Sequence, residues 1–136
     1  MTAKEYLKQA ERIELRIQIK KQRLQGYKDL ATKVNTLISD MPSGTRDVHS
    51  KEKLMVQIVD LEQEIEAELQ QLIDVKREIN NTLSQIPNDD YRLLLELRYI
   101  CNERWERIAR QLHYSKRSVY RHHGRALMEL EKILSA

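Results

Sequence analysis

The residue types best suited to chemistry cluster near the C-terminus: Lys116, Arg117, Ser118, Tyr120, Arg121 and Arg125, with Arg104 and Arg107 a short way upstream. Lysine and arginine bring charge and hydrogen-bond donors, serine and tyrosine bring hydroxyls, and arginine can grip a guanine edge with two bonds at once. From Arg104 to Ala126 seven basic residues stand against one acidic residue, Glu106, and no acidic residue lies between Ser115 and Leu127. A charge run of this kind is often only a solvated face, so what matters is where the fold puts it.

Spacing supplies that placement. Trp105, Ile108, Ala109 and Leu112 fall at i, i+3, i+4 and i+7, one apolar stripe of a short helix. Val119, Ala126, Leu127 and Leu130 form a second stripe, on a helix that Ser115 can cap by accepting from free N–H groups of its first turn. Only His113 and Tyr114 separate the stripes, so the helices must cross sharply, with Ala109 allowing close approach and Tyr114 as a plug between them. This is a helix-turn-helix pattern. With both apolar faces inward, the basic residues face outward, on a recognition helix expected over about Ser115–Glu131. Lys116, Arg117 and Arg121 are expected to reach base edges or phosphates, Ser118 and Tyr120 to add backbone contacts, and Arg104, Arg107 and Arg125 to sit on phosphates.

Other chemistries are poorly served. His113, His122 and His123 near Cys101 invite a metal reading, but adjacent histidines on a helix diverge, and no Cys-x-x-Cys or closely spaced His pair exists. No metal is expected, and Cys101 is expected to be a small buried apolar residue. There is no Gly-rich phosphate loop, no G-x-S-x-G and no triad pattern, so no catalytic residue, cofactor or enzymatic activity is expected.

The supporting elements read as helices throughout. Apolar residues make up 40% and charged residues 33%, with three Gly, two Pro and no Phe, a composition that suits long amphipathic helices and disfavours sheets. An all-α fold is expected. One cysteine excludes an intrachain disulfide, the N-terminus lacks an apolar signal region, and no run approaches the roughly 18 apolar residues of a membrane span. A soluble, cytoplasmic protein with no membrane partner is the expectation.

From Ala3 to about Ser39 an a/d rhythm runs through Tyr6, Ala10, Ile13, Ile17, Lys20, Leu24, Tyr27, Ala31, Val34 and Ile38, with Leu7, Ile19, Leu30 and Leu37 expected to widen the stripe. Met41–Ser50 carries Pro42, Ser43 and Gly44 and should end that helix, with Ser50 as N-cap of the next. A second helix, about Lys51 to Gln85, repeats the rhythm through Leu54, Ile58, Leu61, Ile65, Glu68, Leu72, Val75, Ile79 and Leu83. Residues 4–33 hold nine basic and four acidic residues, whereas residues 54–75 hold six acidic and none basic. Charge therefore favours a long antiparallel, coiled-coil-like hairpin, formed within one chain, between chains of a homo-oligomer, or both.

Ile86-Pro87 ends the second helix, and Asn88 or Asp89 can cap the next one. The boundary is placed here: residues 1–86 as a hairpin for dimerisation or partner binding, residues 87–136 as a three-helix DNA-binding module. Its first helix, about Asp90 to Cys101, carries Leu93, Leu94, Leu97, Tyr99 and Ile100 over too wide an arc for a free surface helix, and should support the other two. Residues 1–87 balance 14 basic against 14 acidic residues, so the excess of +3 lies wholly beyond them.

Pro87 to Leu134 resembles region four of bacterial sigma factors, and more closely the ArpU/RinA-type transcriptional regulators of phages and prophages. The likeness rests on Ile86-Pro87, on LLLELRY from Leu93 to Tyr99, on WERIARQL from Trp105 to Leu112, on Ser115 and Val119, and on Arg125-Ala126-Leu127. Two positions depart from the pattern. His113 stands where many such turns have Gly, and His is among the residues that tolerate positive φ; His122 stands where an aliphatic residue usually packs inward. The resemblance implies a sequence-specific double-stranded DNA-binding transcriptional regulator, phage-encoded, nucleoid-associated in the bacterial host, with RNA polymerase as a further partner. Two alternatives remain: a small-terminase-like packaging protein, and a sigma mimic or antagonist that binds RNA polymerase rather than DNA.

Overall fold

Helix-forming periodicity governs nearly every segment. The computed structural model describes residues 1–40 and 48–136, with residues 35, 37–40 and 48 in backbone alone, and no strand occurs among them. The expected widening residue Leu37 and most of the Met41–Ser50 turn lie outside the described side chains and residues. The fold is all-α. Helix α1, Ala3–Leu7, starts with a reciprocal capping box: the Glu5 N–H donates to the Thr2 hydroxyl at 3.2 Å and the Thr2 N–H to the Glu5 carboxylate at 3.1 Å. After a turn at Lys8 the chain continues as α2, Gln9–Asp40, and returns as α3, Val48–Leu83. Ser50 lies inside α3 and is not its N-cap, because the helix begins two residues earlier.

Residues 14–71 form one compact unit, an antiparallel helical hairpin within the chain. Its buried line is the a/d seam alone: Ile17, Ile58, Leu61 and Ile65 are buried, with Leu24, Tyr27, Ala31 and Leu54 half-buried. Ile19 and Leu30 are about half exposed and do not widen it, since a two-helix contact covers only a narrow stripe of each helix. The one charged seam position of each helix meets the other: Lys20 Nζ lies 3.2 Å from Glu68 Oε1, which Arg16 Nε also reaches at 3.2 Å. Burial by itself would raise the Glu68 pKa, but hydrogen bonds from Lys20 and Arg16 outweigh it and hold the carboxyl below its usual range. A polar pair in an apolar seam fixes register, because any slip would strand both charges against isoleucine and leucine.

Residues 1–13 and 72–136 form the second compact unit. Asn88 caps α4, Asp89–Leu95, its side chain accepting the Tyr91 N–H at 3.1 Å. The helix then widens into a π-helical turn, Glu96–Ile100, closed by Cys101 N–H to Glu96 C=O at 3.0 Å. Helix α5, Trp105–Leu112, and helix α6, Lys116–Ser135, complete the chain. One core joins all of these: Leu94, Leu95, Ile108, Val119, Ala126 and Leu130 are fully buried, and the same cluster takes in Ala3, Leu7, Ala10, Ile79, Leu83 and Ile86.

The compact units therefore do not divide at Pro87. The first turns of the chain and the end of α3 belong with the C-terminal helices, because their apolar side chains complete a core that three short helices are too small to close. Polar ties reinforce this. Ala3 N–H donates to Glu131 Oε1 at 3.1 Å, the Tyr6 and Thr82 hydroxyls lie 2.9 Å apart, and Lys76 Nζ donates to the Ile100 carbonyl at 2.9 Å.

Candidate nucleic-acid interface

Everything that orients α6 lies behind it. Helix α5 ends at His113, whose φ of 60° and ψ of 41° are left-handed, and the Tyr114 N–H returns to the Ala109 carbonyl at 3.0 Å. This closure turns the chain within two residues. Ser115 then caps α6, its hydroxyl accepting the Ser118 N–H at 3.1 Å and donating to the Ser118 hydroxyl at 3.0 Å. Tyr114 fills the corner: its hydroxyl donates to the Asp90 carboxylate, which raises its pKa, and its ring lies 4.7 Å from that of His122.

The two adjacent histidines of α6 pack against aromatic rings. His122 sits between Tyr114 and Tyr91, the latter at 5.8 Å, and its buried Nδ1 has no hydrogen-bond partner. His123 faces elsewhere, 2.8 Å from the Tyr99 hydroxyl and 4.7 Å edge-on from the Trp105 ring. Burial, helped by the positive charges of Lys4 and Arg98, lowers its pKa to about 4, so the imidazole is neutral at neutral pH. Trp105 is braced in turn by the Arg98 guanidinium, 4.5 Å above its ring, and carries the Tyr120 ring edge-on at 5.4 Å. Tyr120 is thus held from behind while remaining 47% exposed.

The outward face of α6 presents Arg117, Tyr120, Arg121, Gly124, Arg125 and Met128, all exposed. Among the described residues Arg117, Arg121 and Arg125 make no hydrogen bond or ion pair, so their guanidinium groups are free for a ligand. Lys116 differs. It pairs with Glu106, reaching across from α5 at 2.9 Å, and that hydrogen bond raises the Lys116 pKa and lowers that of Glu106. Arg107 pairs with Glu103 at 3.4 Å. Ser118 is half-buried and engaged with Ser115, so it closes the cap more than it faces outward. Arg104 is exposed and forms the extended N-cap position of α5 without a side-chain bond. Cys101 is exposed rather than buried, because the π-helical turn ends just before it.

Three exposed residues were not singled out in the sequence: Arg110 on α5, and Gly124 and Met128 on the outward face of α6. Arg110 comes after Arg104 and Arg107 at i+6 and i+3, a spacing that sequence could have flagged. Gly124 sits mid-helix, where glycine costs about 0.5–1 kcal/mol relative to alanine, and a Cβ there would meet nothing within 4 Å. Toward the helix end the acidic residues are engaged, Glu129 with Lys132 at 3.2 Å and Glu131 with the Ala3 N–H.

Among the described residues no group of three or more His, Cys, Asp or Glu is placed to hold a metal ion, and no helix is long and apolar enough to cross a membrane. No curated protein and no solved structure matches the chain. A family model does match, over residues 31–131, from the middle of α2 through most of α6, and the chain belongs to that family, described as "Protein of unknown function (DUF1492)".

Proposed function

We propose that this chain is a non-enzymatic, sequence-specific double-stranded DNA-binding transcriptional regulator of the ArpU/RinA type, phage- or prophage-encoded, with α6 as recognition helix in the major groove. One observation carries the reading: Arg117, Arg121 and Arg125 lie free of carboxylates on the exposed side of the second helix of a helix-turn-helix. Arg117 and Arg121 read base edges, Tyr120 is presented by Trp105, and Arg104, Arg110 and Arg125 bind phosphates. Lys116 and Arg107 join after exchanging Glu106 and Glu103 for phosphate.

The hairpin supplies the assembly. Leu15, Val56 and Val59 are each about half exposed, and α2 is rich in base where α3 is rich in acid, which supports pairing of two chains with opposite flanks in contact. Work of this kind takes place in the bacterial cytoplasm on the nucleoid, beside RNA polymerase.

Selection of bound duplexes from a random library by the purified chain tests the reading. Enrichment of a defined sequence is expected, two-fold symmetric for a dimer, with affinity falling steeply in salt as counterions are released. Arg117→Ala or Arg121→Ala should cost about 1 to 3 kcal/mol of discrimination at one base pair. Full retention of affinity in either variant would sink the assignment, and absence of any enriched duplex would favour an acidic protein partner.

A further inference from the structure

Gly124 is unexplained by anything inside the protein. It lies in the interior of α6 without positive φ, so no special backbone conformation calls for glycine, and the space where a Cβ would stand is empty. Gly26 of the hairpin is equally open, so a bare helical position decides nothing alone; Gly124 differs by standing on the exposed basic face of α6. Its surroundings suggest a reason outside the chain. Four residues to either side on the same face stand Tyr120 and Met128, 47% and 64% exposed, and Arg117, Arg121 and Arg125 run alongside. The stripe from Arg117 to Met128 is roughly 16 Å long at 1.5 Å per residue.

We infer that Gly124 is the point of closest approach between α6 and duplex DNA, its bare backbone letting the helix settle into the major groove until Tyr120 and Met128 touch base edges. The inference rests on the DNA-reading function proposed above and deepens it: contact extends along the middle turns of α6 and is not confined to its first turn. Arg117, Arg121 and Arg125 then line one side of an apolar, glycine-centred ridge, within reach of bases and phosphates beside it. With glycine at this position the groove floor and the helix axis approach as closely as the backbone allows, and every added side-chain atom holds them apart.

Affinity and melting temperature of the full-length chain test this, using a duplex selected from a random library by the native protein. The variants are Gly124→Ala, Gly124→Leu, Arg121→Ala and, as a control at an equally open helical glycine of the hairpin, Gly26→Ala. All three glycine variants are expected to melt above the native chain. Gly26→Ala should bind within about two-fold of native, Gly124→Ala about ten-fold more weakly and Gly124→Leu about a hundred-fold more weakly, the scale of a lost base contact. Gly124→Ala binding as well as native overturns the inference. So does a fall in its melting temperature, which would mean that Gly124 answers to internal packing. If Arg121→Ala loses affinity while both Gly124 variants keep it, the close approach fails and the DNA-reading function stands. If no duplex is enriched, or Arg121→Ala binds as native, that function fails and the inference falls with it.

Discussion

Leu7→Ala should destabilise the C-terminal helices although about 80 residues separate Leu7 from the nearest of them. Leu7 is 1% exposed in a core shared with Ile108, Val119, Ala126 and Leu130. Truncating a fully buried leucine leaves a cavity and costs about 3 kcal/mol, within the usual range for such sites. The unit concerned comprises 78 residues, 13 from the N-terminus and 65 from Leu72 onward. A domain of that size loses roughly 4–8 °C per kcal/mol, so the expected drop is about 12–24 °C. Trp105 is the single tryptophan and packs against this core, so its intrinsic fluorescence follows the transition without a label. Ile73→Ala, at a position 51% exposed in the same unit, is the control and should change stability by no more than about 0.5 kcal/mol. A Trp105 transition unmoved by Leu7→Ala would refute the argument that the first turns of the chain complete this core.

Three further outcomes are expected from single features. His113 is exposed at φ 60°, so His113→Gly relieves left-handed strain and should raise the urea midpoint, by about 0.5–1 kcal/mol of stability; a lowered midpoint would contradict this. Replacing both Lys20 and Glu68 by leucine should raise hairpin stability by about 1–2 kcal/mol in far-UV circular dichroism melts, whereas Glu68→Leu alone should lower it by stranding Lys20; equal effects would rule out their pairing. His123 has a folded pKa of about 4 against 6.5 when unfolded, so the unfolded chain binds more protons between those values and stability falls as pH drops through that window. Because the ring is partly solvated, about 1–2 kcal/mol is expected rather than the full linkage. His123→Gln should flatten that part of the profile, and an unchanged slope would place the titration elsewhere.

Much of the fold is legible in the sequence because helical burial is periodic. The seam positions Ile17, Ile58, Leu61 and Ile65 are buried where the a/d rhythm puts them, Asn88 and Ser115 cap their helices, and His113 takes the left-handed turn. Periodicity also puts Arg117, Tyr120, Arg121 and Arg125 on one exposed face. It says which side of a helix is buried, but not against what. Tyr6 and Ala10 look like ordinary seam residues, and nothing in their spacing distinguishes a partner in α3 from one in α6. Ile19 and Leu30 look buried by type yet stay exposed, since the width of a contact depends on how many helices surround it.

Most of the helices, the caps at Asn88 and Ser115, the sharp turn at His113 and Tyr114, and the sign of charge on α6 follow from sequence, because each arises from local spacing and residue type. Tertiary structure alone decided which charges remain available across helices, by bringing Glu106 to Lys116 and the Lys20–Glu68 pair into register. It alone joined the two ends of the chain in one core around Leu7 and Leu130. The physical reason is the same in each case: these contacts join side chains from different helices or different turns, and their partners are chosen by packing in three dimensions, to which a one-dimensional pattern is blind.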